Sequence, residues 1–316
     1  SPRVADVLAS FDLDRLRRYP DPVFTDLRAR IAALNGTTPD RVFVGNGSDE
    51  VLTLMARAFV DDNEAIGSCD PSYSLYRTLA AIRNVPVVPS PLNADFTWRA
   101  PVTRGADGRP VALFLLTNPN APTSVRYPEE AVAAFARTFP GVVVVDEAYV
   151  DFADASCMDL ATAPDDVNVI VMRTLSKSFS LAGLRLGYCI GPADLIEALY
   201  KVKDSYNVDA LAQTVALAAL GDLDWMHANA ARVRKTREAA AAALRARGWD
   251  VPPSQANFLF ARPAHRPAAE IFEALRARHI YVRYFPGPRT GDRLRITVGT
   301  DADMTPLLSA LEELDQ

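Results

Sequence analysis

Cysteine and histidine are scarce, with three of each in 316 residues. Cys69, Cys157 and Cys189 stand far apart, which argues against a disulfide framework, and a reducing cytoplasm is the default compartment. Neither they nor His227, His265 and His279 have metal-ligand spacing, so no metal is expected. A basic excess is also lacking: 34 Lys and Arg against 39 Asp and Glu leave a net charge of −5. Nucleic-acid partners are therefore not expected, since a phosphate-tracking surface needs clustered positive charge. Arg232, Arg234, Lys235 and Arg237 do cluster, but in a helical pattern that runs into alanines, and they read as a solvated helix face. Apolar runs are broken well short of a membrane span, and no charged-then-apolar leader opens the chain. A soluble intracellular protein is expected. With 49% hydrophobic residues it is long enough for two domains.

Short strand-like runs recur at residues 42–44, 65–68, 85–88, 113–116, 142–145, 169–172 and 186–190. Helical periodicity fills several gaps, at 48–60, 72–82, 129–138 and 193–203. The first of these opens on Ser48, Asp49 and Glu50, residue types suited to a helix N-terminus. Val142-Val-Val-Val145 is apolar on both faces, as a parallel strand covered on each side requires. The pattern predicts an α/β fold: a large domain with a mostly parallel sheet and helices on both faces. After about Asn207 the texture changes. Helices at 210–220 and 224–247 precede a strand at 258–261, a helix at 268–278, strands at 281–284 and 294–298 and a closing helix at 304–314. These predict a smaller α+β domain. The expected division is 20–207 and 208–316, joined by the N-terminal segment 1–19. Residues 99–110, with Gly105, Asp107 and Gly108, read as a surface loop.

Three clusters fall at predicted strand ends, where open α/β sheets bind ligands. Asp146-Glu-Ala-Tyr149 follows the four valines; such a carboxylate is either a cap or a charge kept for a purpose. Arg173-Thr-Leu-Ser-Lys-Ser-Phe-Ser180 sets a lysine among hydroxyls and leads to Arg185, eight positions after Lys177. Gly45-Asn-Gly-Ser-Asp-Glu50 is a glycine-bearing turn opening a helix, a favourable seat for phosphate. Each alone has a bland reading as a surface turn or a solvated side chain.

Taken in order with Asn118-Pro-Asn120 and Ala182-Gly-Leu-Arg185, these motifs resemble the fold type I aminotransferases that use pyridoxal phosphate. The histidinol-phosphate branch, which serves histidine biosynthesis, is the most similar. The resemblance runs from Arg18-Tyr-Pro20 to Leu294-Arg-Ile-Thr-Val-Gly-Thr300. It implies pyridoxal 5′-phosphate held by Lys177 as a Schiff base, with Lys177 also moving the Cα proton. It implies that Asp146 pairs with the ring nitrogen, Tyr149 with the phenolic oxygen, and that Tyr73 stacks on the ring. The phosphate would lie on Ser48 and Asp49 with Thr174, Ser176 and Arg185, and Tyr19 would reach a neighbouring subunit's phosphate in a homodimer. Arg295, Arg283 and Asn257 would meet small amino- and oxo-acid substrates. Packing remains the alternative for Tyr19 and Tyr73, and a structural salt bridge for the two arginines.

The family's Asn-Pro-Thr-Gly reads Ala121-Pro-Thr-Ser124 here. That puts alanine where an asparagine usually meets the cofactor, and Asn120 is expected to substitute. The family also carries an Asn-Glu-Asn-Pro-type segment ahead of a sequence like Ser1-Pro-Arg-Val4, which helps close the site. Transfer from histidinol phosphate to 2-oxoglutarate is the leading expectation. An aromatic aminotransferase or a threonine-phosphate decarboxylase is the alternative, separable by a substrate panel. A nucleotide-binding dehydrogenase would need a third glycine after Gly45-Asn-Gly47. A non-catalytic scaffold would have no need of Lys177, Asp146, Tyr149 and Arg185 together.

Overall fold

The computed structural model describes residues 1–163 and 168–314. Seven strands form the large sheet: β1 (Val42–Gly45), β2 (Ala65–Asp70), β3 (Val87–Pro91), β4 (Val111–Thr117), β5 (Val142–Asp146), β6 (Val169–Thr174) and β7 (Gly187–Ile190), in the order β1-β7-β6-β5-β4-β2-β3. Strands β2 to β6 run parallel to one another, while β7 runs antiparallel to both β1 and β6. The valine run of β5 shows why the sheet is buried on two sides. Val143 and Val145 enter one apolar core, Val142 and Val144 the other. Alternating side chains point to opposite faces, so only a strand covered on both can be apolar at every position.

A second sheet is built from β8 (Phe258–Ala261), β9 (Arg283–Tyr284) and β10 (Leu294–Thr297), all antiparallel, in the order β8-β10-β9. The helices Ala268–Ala277 and Asp301–Leu314 and the last turns of Leu223–Ala246 cover it and share its separate apolar core. Residues just after 207 pack elsewhere. Val208, Ala212, Val215 and Ala216 lie in the core of the large sheet, as do Met226 and Ala230. The passage from one core to the other therefore occurs within Leu223–Ala246, beyond the expected division.

Local details differ from the sequence expectations for identifiable reasons. Strand β3 begins at Val87, not Val85, because Asn84 takes a left-handed φ of 56° to end the helix Leu75–Arg83. The amide of Val85 bonds back to Ala80. That helix starts at Leu75, leaving Pro71-Ser-Tyr73 in the preceding turn. Strand β9 has two residues, since Phe285 leads straight into a tight loop. Helices Pro2–Ala9, Thr25–Leu34 and Met158–Thr162 were not foreseen; each buries only one to three side chains, too few for a clear period. Arg237 is not solvated as the basic cluster suggested. It is 5% exposed and its guanidinium donates to the carbonyls of Phe152 and Ala256 at 3.0 Å, so it ties the turn after β5 to the segment before β8. Ser124 adopts the left-handed backbone that favours glycine, at φ 64°.

Candidate active site

Parallel strands β4, β5 and β6 end side by side, and their last residues carry the chemistry. Asp146 closes β5 and pairs in register with Thr117 of β4 and Met172 of β6. Its carboxylate is buried, accepting the Tyr76 hydroxyl at 3.1 Å and the Ala148 amide at 3.1 Å. Tyr76 has one proton to give, so the 2.6 Å contact between its oxygen and Thr117 uses the Thr117 hydroxyl as donor. Burial pushes the Asp146 pKa up to about 6, against the pull of those two hydrogen bonds; Asp49 raises it further and Lys177 lowers it. A carboxylate with so few compensating bonds suits a cationic ligand group.

Lys177 lies in the turn after β6, its Nζ 5.4 Å from the centre of the Tyr149 ring. Burial and the Arg295 charge lower its pKa, with Asp146 and Asp49 opposing. The Tyr149 ring stands edge-on to Phe258 at 5.0 Å, and burial raises its phenol pKa while Arg295 pulls it down. Behind this face the neighbouring residues in sequence are tied down. Ser178 bonds Asp151, and Glu147 takes two bonds from Arg173 at 2.9 and 3.0 Å. The buried Glu147–Arg173 pair fixes the ends of β5 and β6 relative to each other.

A phosphate-sized cradle forms at the start of the helix Ser48–Phe59. Gly47 holds φ 85°, and a Cβ there would lie 2.6 Å from an Arg185 guanidinium nitrogen. Gly187 backs the turn: its Cβ would come within 2.5 Å of the Ser48 amide. Arg185 reaches the Ser176 hydroxyl at 3.4 Å and Asp49 at 3.6 Å, and Thr174 bonds Ser176 at 2.9 Å. Helix-start amides, the Ser176 hydroxyl and a guanidinium converge, with Thr174, whose hydroxyl reaches the Leu186 carbonyl at 3.1 Å, bracing Ser176, so the donor set fits a phosphorylated cofactor.

Beside it opens a cleft of about 500 Å³ lined by Tyr73, Arg77, Arg283, Phe285, Arg289 and Arg295, among others. Arg295 and Arg283 are direct cross-strand partners. The Arg295 guanidinium lies 5.1 Å from the Phe258 ring and 5.3 Å from Phe285, and its buried Nε has no hydrogen-bond partner among the described residues.

Three expected residues stand apart. Asn120 is fully buried and its amide is spent on the Pro71 carbonyl and Thr123, while its oxygen accepts from Ser72. It clamps the loop. Asn257 is half-buried just before β8, its carbonyl accepting the Val298 amide. Tyr19 is 80% exposed and stacks on Tyr206, with ring centres 4.4 Å apart. Sequence reasoning missed Tyr76 and Thr117. The one available signal was a second tyrosine three positions after Tyr73, one helical turn on. No group of acidic, cysteine or histidine side chains among the described residues could hold a metal, and no helix there is long and apolar enough to cross a membrane.

Comparison with known proteins bears directly on this arrangement. The family model for aminotransferase class I and II matches residues 2–311. The histidinol-phosphate aminotransferase of Syntrophotalea carbinolica is 42% identical over 314 residues, covering 99% of this chain and 89% of its own. That of Synechocystis is 42% identical over 312 residues, covering 98% and 88%. Among solved structures, histidinol-phosphate aminotransferase from Sinorhizobium meliloti in complex with pyridoxal-5′-phosphate superposes with a TM-score of 0.89. Its identity is 26%, and the match covers 100% of this chain and 87% of that one. With lysine, aspartate and phosphate cradle gathered at the strand ends, this chain belongs to the class I and II aminotransferases.

Proposed function

We propose that this protein is a pyridoxal-phosphate-dependent aminotransferase that moves an amino group between histidinol phosphate and 2-oxoglutarate. The observation that carries the substrate reading is the Arg283–Arg295 pair. Like charges directly opposite on neighbouring strands repel, and neither arginine has a carboxylate ion-pair partner among the described residues. Burial and the Arg283 charge both lower the Arg295 pKa. An anion entering the cleft relieves this repulsion. The phosphate of one substrate and a carboxylate of the other answer the same need in turn.

Bound pyridoxal phosphate supplies a conjugated ring that takes up the electron pair left when the substrate's Cα loses its proton. Lys177 would hold the cofactor between turnovers, and its Nζ, when free as the amine, would move the proton from the substrate's Cα to the cofactor's C4′. The depressed pKa favours the neutral amine needed to accept that proton. Asp146 keeps the ring nitrogen protonated, and Tyr149 donates to the phenolic oxygen. Tyr73 stacks on the ring, while Ser48, Asp49, Thr174, Ser176 and Arg185 hold the phosphate. Asn257 would meet the substrate in this reading. The free, buried cysteines Cys69, Cys157 and Cys189 suit a reducing cytoplasm.

Arg295→Leu is expected to weaken both half-reactions by about one to two orders of magnitude in kcat/KM, because a charge-assisted contact to a buried anion is worth roughly 1.5–3 kcal/mol. The resting cofactor spectrum should stay normal, and lysine should rescue only in part, lacking the planar fork. Single-turnover kinetics with each substrate test this. Wild-type rates with both would make Arg295 structural. The same half-reaction measured with phenylalanine, tyrosine and threonine phosphate separates the other activities of this fold.

The active form is a homodimer in this reading. Leu13, Leu16 and Tyr19 are 73%, 58% and 80% exposed, an apolar edge that a single chain leaves in water. From it Tyr19 would reach the partner's cofactor phosphate. Sedimentation of the holoenzyme is expected to give a dimer, and an active monomer would refute it.

A further inference from the structure

We infer that Arg289 is a positioning residue that clasps the two walls of the cleft and so sets the enzyme's discrimination for substrates ending in an anion. The inference rests on the substrate reading above. One wall is the turn 71–74 after β2, which carries Tyr73; the other is the small-sheet edge with Arg283, Phe285 and Arg295. Arg289 spans them. Its guanidinium donates to the Asp70 carbonyl at 2.8 Å and to the Asn93 carbonyl at 2.7 Å. Asp70 ends β2 and Asn93 follows β3, its parallel neighbour, so the fork grips two adjacent strand ends at once. The guanidinium carbon also lies 5.8 Å from the centre of the buried Phe96 ring, which Arg293 and Phe260 approach from the small-sheet side. The Asp70 carboxylate is already engaged by Arg77 at 3.1 Å. Arg289 thus fastens to backbone carbonyls, and it does so through fork geometry more than through charge.

Loop 285–291 transmits the clasp. The Thr290 hydroxyl bonds the Phe285 carbonyl at 2.8 Å, the Gly291 amide bonds Gly287 at 2.9 Å, and the Tyr284 hydroxyl bonds Gly291 at 3.1 Å. A turn closed on itself in this way moves as a unit. Phe285, at its start, has the Arg283 guanidinium 5.5 Å and the Arg295 guanidinium 5.3 Å from its ring centre. Releasing Arg289 frees Phe285, and with it the spacing of both arginines from the Tyr73 wall. A substrate that must reach from the cofactor to the arginines feels that change; one without a terminal anion does not.

The test uses holoenzyme carrying Arg289→Ala or Arg289→Lys, with histidinol phosphate and with histidinol, the same donor lacking its phosphate. Both variants are expected to raise KM for histidinol phosphate by about tenfold or more, with kcat within about threefold and histidinol kinetics unchanged. The cofactor absorbance and its pH titration should not move, and amide exchange across 285–291 should quicken. Lysine should fail to rescue, because it cannot bond two carbonyls in a fixed plane. Equal losses with both donors would make Arg289 merely structural and overturn the inference. Rescue by lysine with unchanged exchange would also overturn it, pointing to a direct contact with the phosphate. A wild-type enzyme that ignores histidinol phosphate would sink the substrate reading instead, and the exchange measurement would still decide the clasp.

Discussion

Lys177→Ala is expected to abolish transamination and to leave no lysine that borohydride can fix to the cofactor. The chain has only three other lysines: Lys201, Lys203 and Lys235. Lys201 is an exposed partner of Glu197, and Lys203 donates to the carbonyls of Asp204 and Ser205. Lys235 lies on the helix Leu223–Ala246. Only Lys177 stands beside Tyr149 within electrostatic reach of Asp146, Asp49, Arg185 and Arg295. Loss of proton transfer alone removes about 10²–10⁴ in rate, and loss of the covalent anchor adds to it. Reduction of the wild-type holoenzyme followed by peptide mapping provides the check. Label on any lysine but Lys177 sinks the assignment.

Asp146→Asn is expected to cut turnover by roughly two orders of magnitude or more while the cofactor still binds, since an amide cannot hold a proton on the ring nitrogen. The same substitution has an opposite effect on stability. In the cofactor-free fold the Asp146 pKa rises from 3.8 to about 6 because the carboxylate is buried. Well below pH 3.8 both folded and unfolded chains keep that proton. As pH rises through 6 the unfolded chain has already ionised at no cost, so folding stability falls, by a few kcal/mol at about 1.4 kcal/mol per pKa unit. Asparagine avoids this loss. Cofactor-free Asp146→Asn is therefore expected to melt above wild type at pH 8 and close to it well below pH 3.8. A bound cation at the ring nitrogen offsets the penalty in the wild-type holoenzyme and removes the variant's advantage. Melting scans at the two pH values, with and without cofactor, measure the effect alongside turnover. Near-normal turnover would show that Asp146 does not govern the ring nitrogen. A melting difference that ignores pH would show that its ionisation is not what the fold resists.

Both residues were legible before any coordinates, for a local reason. A strand apolar on both faces, ended by a carboxylate or a lysine, already says that a charge stands at the edge of a buried sheet. Residues after Gly47 likewise announce a helix start, because capping and dipole act within one turn. The resemblance of the ordered motifs added the chemistry those positions serve. Periodicity also captured most elements of the two sheets, since burial on one face or two leaves its mark on consecutive residues.

What lay beyond the sequence are contacts whose partners are far apart along the chain. Tyr76 meets Asp146 across 70 positions, and Arg289 meets Asp70 across 219. No local pattern registers them, because sheet order and register decide which strand ends become neighbours. The same holds for Asn120, which reads as a cofactor ligand in its motif yet is used up by Pro71, Ser72 and Thr123 once the loop closes. It holds for Arg237, one of four basic residues in a row of helix turns, buried only because two backbone carbonyls arrive from separate segments. By itself, the sequence determined the alternation of strands and helices, the placing of Lys177 and Asp146 at strand ends, and the family. Only the tertiary structure decided that Arg283 faces Arg295 across a strand pair, and that Arg289 spans the cleft. Those arrangements depend on antiparallel register and on contacts between segments far apart in the chain, and neither is encoded in the spacing of neighbouring residues.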